Sequence, residues 1–427
     1  MFTQFNGVST ERSSTPLRRA SHSAFLVPPS AIYRLPLICG SLPVTVRSFL
    51  PAADRKEDPN ITRAGSVLTD SRPVDVIATT QAFQAVLPSI RSAEWLALDT
   101  EADSLHAYPE KLCLVQLSLP GTDLLFDPLA SLDISELFQA LAGRELTLHG
   151  GDYDLRLLYR TGRFIPNTIF DTMLAARMLG HREFGLDALV LRRLGVQLEK
   201  GGQKLNWARR PLSPRMETYA RNDTHYLRPL AESLRAELIA KGRLAWVQQL
   251  CGESVKDCSS IRPSDPDRVW RIRGSDRLEP RGLGILRELW RWREGEAVAR
   301  NRPPYFVMSH ENLVDLADTA AREKPLNSFL PRFRTSIEED RFSESLERAL
   351  KLTDSDYPAR PRHVRGRGLK RDESERFEVL ARRRDLQAEA LGIDPTLIAS
   401  RATLLELAQD WENRSRTLLP WQRDILQ

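Results

Sequence analysis

The chain has 427 residues, 28% of them charged and 41% hydrophobic, with a net charge of +5. That balance excludes a wholly disordered or fibrous chain, leaves room for about three domains, and suits a polyanionic partner without requiring one. No membrane span is expected, because no run of about 18 apolar residues occurs, and Cys39, Cys113, Cys251 and Cys258 form neither a C-x-x-C zinc pair nor a readable disulfide framework.

Residues 1–72 stand apart. The first fifty carry one acid, Glu11, against Arg12, Arg18, Arg19, Arg34 and Arg47, with recurrent Ser and Pro. Two readings are open, an organelle transit peptide or a disordered extension. The prolines interrupt any amphipathic helix and favour the second, which goes with a cytoplasmic location. Regular structure is expected from near Val74. Trp95 to Glu101 reads as a strand that leaves the core and ends in acids. Leu112–Leu119, Asp123–Asp127 and Leu146–His149 read as further strands. Helical patterns follow near 152–160, 172–180, 186–194 and 213–240. Strands first and helices after give one α/β layer domain over 73–240. The stretch from Arg192 to Arg215 is basic, and 241–276 reads as an irregular linker.

The remainder is all-helical and repeats itself. Shifting the sequence by 91 places Pro304 on Pro395, Ser309 on Ser400, Leu313 on Leu404, and Leu316-Ala317 on Leu407-Ala408. Upstream, Leu286, Leu289, Arg293 and Ala297 fall on Phe377, Leu380, Arg384 and Ala388. Ser309 and Ser400 stand where helix N-caps belong. Residues 277–352 and 372–427 therefore read as two copies of one small helical module. Between them, 353–371 is a basic linker whose arginines suit phosphate contact.

Chemistry concentrates in a few acids. Asp99 and Glu101 are two apart on a strand, so both carboxylates share a face. Two like charges that close call for a cation, and oxygen-only ligands select Mg²⁺ or Mn²⁺. Tyr219 and Asp223 are four apart and share one helix face. Asp152 and Asp154 follow His149-Gly150-Gly151, and spacing alone does not choose between them. Asp171 reads as the cap of the 172–180 helix, and Asp103 and Glu110 as surface acids. His106, His181, His225, His310 and His363 show no ligand spacing.

In their order, D-x-E on a strand, an acid after H-G-G, then Y-x-x-x-D on a late helix, these residues resemble the ribonuclease D family. That family belongs to the exonucleases with four metal-binding acids, and the likeness is to the subclass with Tyr in the last motif. Phe170-Asp171-Thr172, Gly202-Gln203 through Trp207, and Arg210 through Ala220 resemble family segments too. Lys204-Leu205-Asn206 departs from them, since the family usually carries an acid beside the Trp. The 277–352 module resembles the helicase-and-RNase-D C-terminal (HRDC) domain, and 372–427 a divergent second one. The resemblance implies a ribonuclease H-like exonuclease domain, a mixed sheet flanked by helices, followed by two small all-α domains. It implies that Asp99, Glu101, Asp154 and Asp223 hold two divalent ions, Mg²⁺ or Mn²⁺, while Tyr219 orients the attacking water. The implied activity is 3′-to-5′ hydrolysis of RNA ends, such as tRNA precursors, with DNA as the alternative substrate and a non-catalytic nucleic-acid scaffold as the alternative role. No membrane or obligate protein partner is implied. Leu105, His149, Lys204, Trp207 and Arg210, with Tyr108, are the expected substrate contacts.

Overall fold

The computed structural model describes residues 75–259, 265–326, 329–360 and 368–427. The expectations for residues 1–72, and for residues 361–367 of the basic linker, fall outside the described residues.

Six strands make one mixed sheet in the order β1-β4-β3-β2-β5-β6. They are β1 (Asp75–Ile77), β2 (Leu96–Ala102), β3 (Leu112–Leu119), β4 (Thr122–Phe126), β5 (Glu145–Leu148) and β6 (Thr168–Asp171). The central β2 runs antiparallel to β3 and parallel to β5, with Asp99 opposite Gln116. Its register slips between Glu101 and Ala102, just past the acids. Alternation sorts β2 cleanly. Leu96 and Leu98 enter the main core, while Asp99 and Glu101 take the other face.

The helices of this layer are α1 (Thr80–Ser92), α2 (Ser135–Ala142), α3 (Asp152–Gly162), α4 (Thr172–Met178), α5 (Leu186–Leu194), α6 (Pro214–His225), α7 (Leu227–Ala240) and α8 (Leu244–Ser259). The continuous helix expected over 213–240 breaks at Tyr226 into α6 and α7. β1, β6, α1 and α2 are additions to the expected elements; α1 carries Pro88 in its interior. The expected linker over 241–276 is for the most part folded. Its α8 packs on β6 and α3, and the Cys251 thiol accepts a hydrogen bond from the Asp171 N–H. Trp270, Ile272 and Leu278 are buried in the following module.

The 91-residue repeat reappears in the backbone. The first copy consists of α9 (Pro280–Ala299), α10 (Pro304–Val307), α11 (His310–Ala321) and α12 (Ser336–Leu350). The second has α13 (Arg371–Leu391), α14 (Pro395–Ile398), α15 (Arg401–Gln409), α16 (Trp411–Arg414) and α17 (Pro420–Leu426). α10 and α14 begin at the paired prolines. Ser309 and Ser400 cap α11 and α15 by accepting from the N–H groups of Asn312 and Thr403. The copies then diverge. The first closes a core of its own, whereas Phe377, Leu397, Leu404 and Trp421 of the second join the core of the sheet.

Candidate active site

α6 decides what the acid-bearing strand meets. Ser213 caps it, Pro214 opens its first turn, and it lies across β2, β3 and β4. One of its faces turns Tyr219 and Asp223 toward the acids of β2. Another is pinned to the β3–β4 hairpin. There, Asp123 accepts from the Arg221 guanidinium at 2.9 Å, pairs with His225 Nδ1 at 2.8 Å, and accepts from the Ser118 hydroxyl at 2.6 Å. Burial raises the Asp123 pKa, but the hydrogen bonds from His225, Ser118 and Arg221 outweigh it and hold the carboxyl below its ordinary range. The helix is thus clamped on one side while its functional side points into the site.

Asp99, Glu101 and Asp223 each bring a carboxylate oxygen within 4.8 Å of the others. Asp154, at the start of α3, is buried beside them. Its Oδ1 accepts from the Thr100 N–H at 3.0 Å and from the Thr100 hydroxyl. Burial, then the charges of Asp154, Asp223 and Glu101, push the Asp99 carboxyl well above the usual carboxylate range. Glu101 is raised for the same reasons, burial first and Asp223 next. Burial and Asp154 bring Asp223 to about 8. Asp154 itself rises to about 6, burial outweighing its bonds to Thr100. Among the described residues no Lys or Arg forms an ion pair with any of the four. The protein therefore gathers negative charge and leaves it unneutralised, an all-oxygen donor set that fits a divalent cation.

Asp152 points away, exposed and paired with Arg156 at 2.9 Å. Asp171 is spent on backbone: it accepts from the N–H groups of Gly150, Gly151, Met173 and Leu174. It caps α4 and ties the turn before α3 to β6, so the capping reading stands. Asp103 is no surface acid. It is fully buried, paired with Lys111, and accepts from the Lys111 N–H. Glu110 is half-buried, bonded to Arg160 and the Tyr153 hydroxyl at 2.6 Å each.

The Tyr219 phenol is raised above its ordinary value by burial and by Asp223, Glu101 and Asp99; a hydrogen bond with Gln203 opposes them. It stays a neutral phenol at working pH. Its ring lies 6.0 Å from that of Trp207. The Gly202 backbone also lies against this ring, where an added Cβ would stand 2.2 Å from it. His106 Nε2 contacts the Lys204 carbonyl at 3.2 Å and joins this cover to the loop leaving β2.

The expected substrate contacts divide. Trp207 is wholly buried under α6 and has no face to offer a base, a correction that follows from its place in the small core beneath that helix. Arg210 grips Asp127 (2.5 and 2.6 Å) and the carbonyl of Cys113 (2.8 Å), so its guanidinium is structural. The Tyr108 hydroxyl bonds Glu294 of the first helical copy. Leu105 and His149 are half-buried, and Lys204 is exposed. His149 contacts the Thr172 hydroxyl at 2.8 Å, and burial keeps it neutral by lowering its pKa. Thr100 and Gln116 are supporting residues that the motifs did not single out, while Gly202 and Gln203, which open the family-like segment, support Tyr219. Gln116 donates to Asp99 at 3.3 Å; only the β2–β3 register, which sequence does not carry, reveals that pairing.

Comparison with known proteins agrees with this geometry. Residues 74–239 match a 3′-5′ exonuclease family model, and residues 282–324 match an HRDC domain model. Ribonuclease D of Granulibacter bethesdensis is 30% identical over 363 residues, covering 82% of this chain and 90% of that protein. Ribonuclease D of Bartonella henselae is 26% identical over 349 residues, covering 79% and 84%. The crystal structure of Escherichia coli RNase D, described as an exoribonuclease involved in structured RNA processing, superposes with a TM-score of 0.64 at 25% identity, covering 82% of this chain and 92% of that one.

Proposed function

The chain belongs to the ribonuclease D family, and on that footing we propose that it is a metal-dependent 3′-to-5′ exoribonuclease releasing nucleoside monophosphates from RNA 3′ ends. The observation that carries this is the convergence of Asp99, Glu101 and Asp223, from two different elements, within 4.8 Å of one another. Asp99, Glu101, Asp154 and Asp223 would hold two divalent ions, Mg²⁺ or Mn²⁺. Such ions, when bound, supply a nucleophile at neutral pH and stabilise charge on the departing 3′ oxygen. The chain's own residues do the rest. The four carboxylates fix where cations and scissile phosphate meet. The neutral Tyr219 phenol, packed against Trp207 and Gly202, orients the attacking water rather than acting as its base. Thr100 locks Asp154, and Gln116 and Gln203 steady Asp99 and the phenol. Structured RNA such as tRNA precursors is the substrate class in this reading, which puts the work in the cytoplasm. Among the described residues, no helix is long and apolar enough to cross a membrane.

The test is digestion of end-labelled RNA and a matched DNA strand in Mg²⁺ or Mn²⁺, with and without EDTA. Stepwise loss of mononucleotides from the RNA is expected, abolished by EDTA. Asp99→Asn should cost at least ~10²-fold in kcat, and Tyr219→Phe about 10²-fold with little change in KM. Undiminished release by Asp99→Asn would refute the mechanism, and faster digestion of DNA would reassign the substrate.

A further inference from the structure

Behind α6, on the side away from the acids, the nuclease layer holds a cavity of about 230 Å³. Arg221 and His225 are four apart on the helix and line it together. Asp223 falls between them in sequence and takes the opposite face, toward Asp99 and Glu101. Another wall is Trp95, which is half-buried and leads into β2 four residues ahead of Asp99, about 13 Å along the chain. The cavity therefore touches both of the elements that bring Asp99, Glu101 and Asp223 together, and does not include those acids.

Its lining has two characters. Trp95, Leu119 and Pro229 are apolar, whereas Thr122, His225 and Arg228 are polar. The carboxylate in the lining, Asp123, is neutralised by the Arg221 guanidinium at 2.9 Å. His225 spends Nδ1 on the same carboxylate at 2.8 Å, which leaves Nε2 as its remaining polar atom. Arg228 gives Nε to Glu232 at 2.6 Å, in a pair whose side chains are 41% and 57% exposed. Such surface pairs are worth little and yield readily to a stronger anion. The two terminal nitrogens of Arg228 have no hydrogen-bond partner among the described residues, and its guanidinium lies 5.9 Å from the centroid of the Trp95 ring. An indole wall beside unspent cationic donors suits a ligand with a flat aromatic end and an anionic end.

We propose that this cavity is a binding site for a nucleoside 5′-monophosphate, its base against Trp95 and its phosphate on Arg228 and His225. The volume is that of a small-ligand site and too little for a strand. The assignment goes beyond the exonuclease reading and rests on the lining alone; that reading adds only that the ligand is of the class the reaction releases. Because Arg221 and His225 are also the clamp that pins α6, an occupied cavity bears on the helix that presents Tyr219 and Asp223.

The test is calorimetric titration of full-length protein with adenosine 5′-monophosphate in EDTA, where the acids of the active site hold no cation and repel phosphate. Adenosine and inorganic phosphate, each titrated alone, should bind at least about tenfold more weakly, since each lacks one end of the ligand. Arg228→Ala should weaken binding of the nucleotide at least about tenfold, through loss of charge-assisted hydrogen bonds. Trp95→Leu should weaken it about tenfold, while Trp95→Phe, which keeps a ring, should bind as wild type. Arg228→Glu changes a partly exposed side chain, should abolish binding, and serves if Trp95→Leu folds poorly. Adenosine 5′-monophosphate at about ten times its Kd should slow hydrogen exchange across residues 221–229 about tenfold and leave the helical copies unchanged. Absence of binding, inorganic phosphate binding as tightly as the nucleotide, or wild-type affinity in Arg228→Ala or Trp95→Leu overturns the proposal. A protein that shows these effects yet hydrolyses no RNA in Mg²⁺ or Mn²⁺ would refute the exonuclease reading and leave the cavity standing. One that hydrolyses RNA without them would refute the cavity alone.

Discussion

In the first helical copy, Trp292 packs edge-on against Phe342, with centroids 4.9 Å apart, inside a core that the copy keeps to itself. In the second, Trp421 stacks on Trp246 of α8 at 4.9 Å and 13°. Arg243 then bridges the two layers, donating to the Met178 carbonyl at 3.0 Å and the Leu391 carbonyl at 2.7 Å. The first copy touches the nuclease layer through polar contacts instead. Tyr108 bonds Glu294, its N–H donates to Asn301 at 3.2 Å, and Tyr305 reaches Leu105. One helical pattern is therefore used twice, as a self-sufficient body beside the site and as a brace fused into the sheet's own interior. What separates the uses is which apolar residues lie outside the repeat's shared positions.

The largest effects that sharpen this contrast come from the two tryptophans. Each is nearly buried, so Trp→Ala should cost about 3–5 kcal/mol. Calorimetry should resolve two transitions, with Trp421→Ala lowering the nuclease transition and Trp292→Ala the other. A single transition that moves with both would erase the distinction. Next in size is Gly180→Ala. Gly180 has φ +87°, and an added Cβ would meet the Gly392 carbonyl oxygen at 2.0 Å, where the second copy abuts the nuclease layer. A loss of about 1–3 kcal/mol from the left-handed backbone alone is expected, confined to the nuclease transition. Smallest is Tyr108→Phe, which removes one hydrogen bond worth about 0.5–1.5 kcal/mol. It should speed hydrogen exchange across residues 103–108 without moving the second copy, and unchanged exchange there would show that the first copy is held by something else.

Much of this is legible in the amino-acid sequence. The acids stood out because a two-residue strand period and a four-residue helix period each place chemistry on one face. The repeat stood out because Pro304/Pro395 and Ser309/Ser400 are local signals that caps and turns demand. The rest is set by partners distant in the chain. The apolar stripe of α8, Val247, Cys251 and Cys258, is narrow, contains Gly252 nearby, and becomes a core face only against β6. Asp103 looked like a solvated charge because Lys111, eight residues on, is brought back to it only by the turn. Trp207 and Arg210 suit substrate contact by residue type, whereas their neighbours Tyr219, Cys113 and Asp127 make them internal supports.

The close packing around Tyr219 constrains how this enzyme could change. A smaller side chain in its place would forfeit the contact with Gln203 and leave a gap against the Gly202 backbone and the Trp207 indole. Replacing the phenol therefore calls for rebuilding the 202–207 segment together with the helix, so several concerted changes stand between this site and one built around a different side chain.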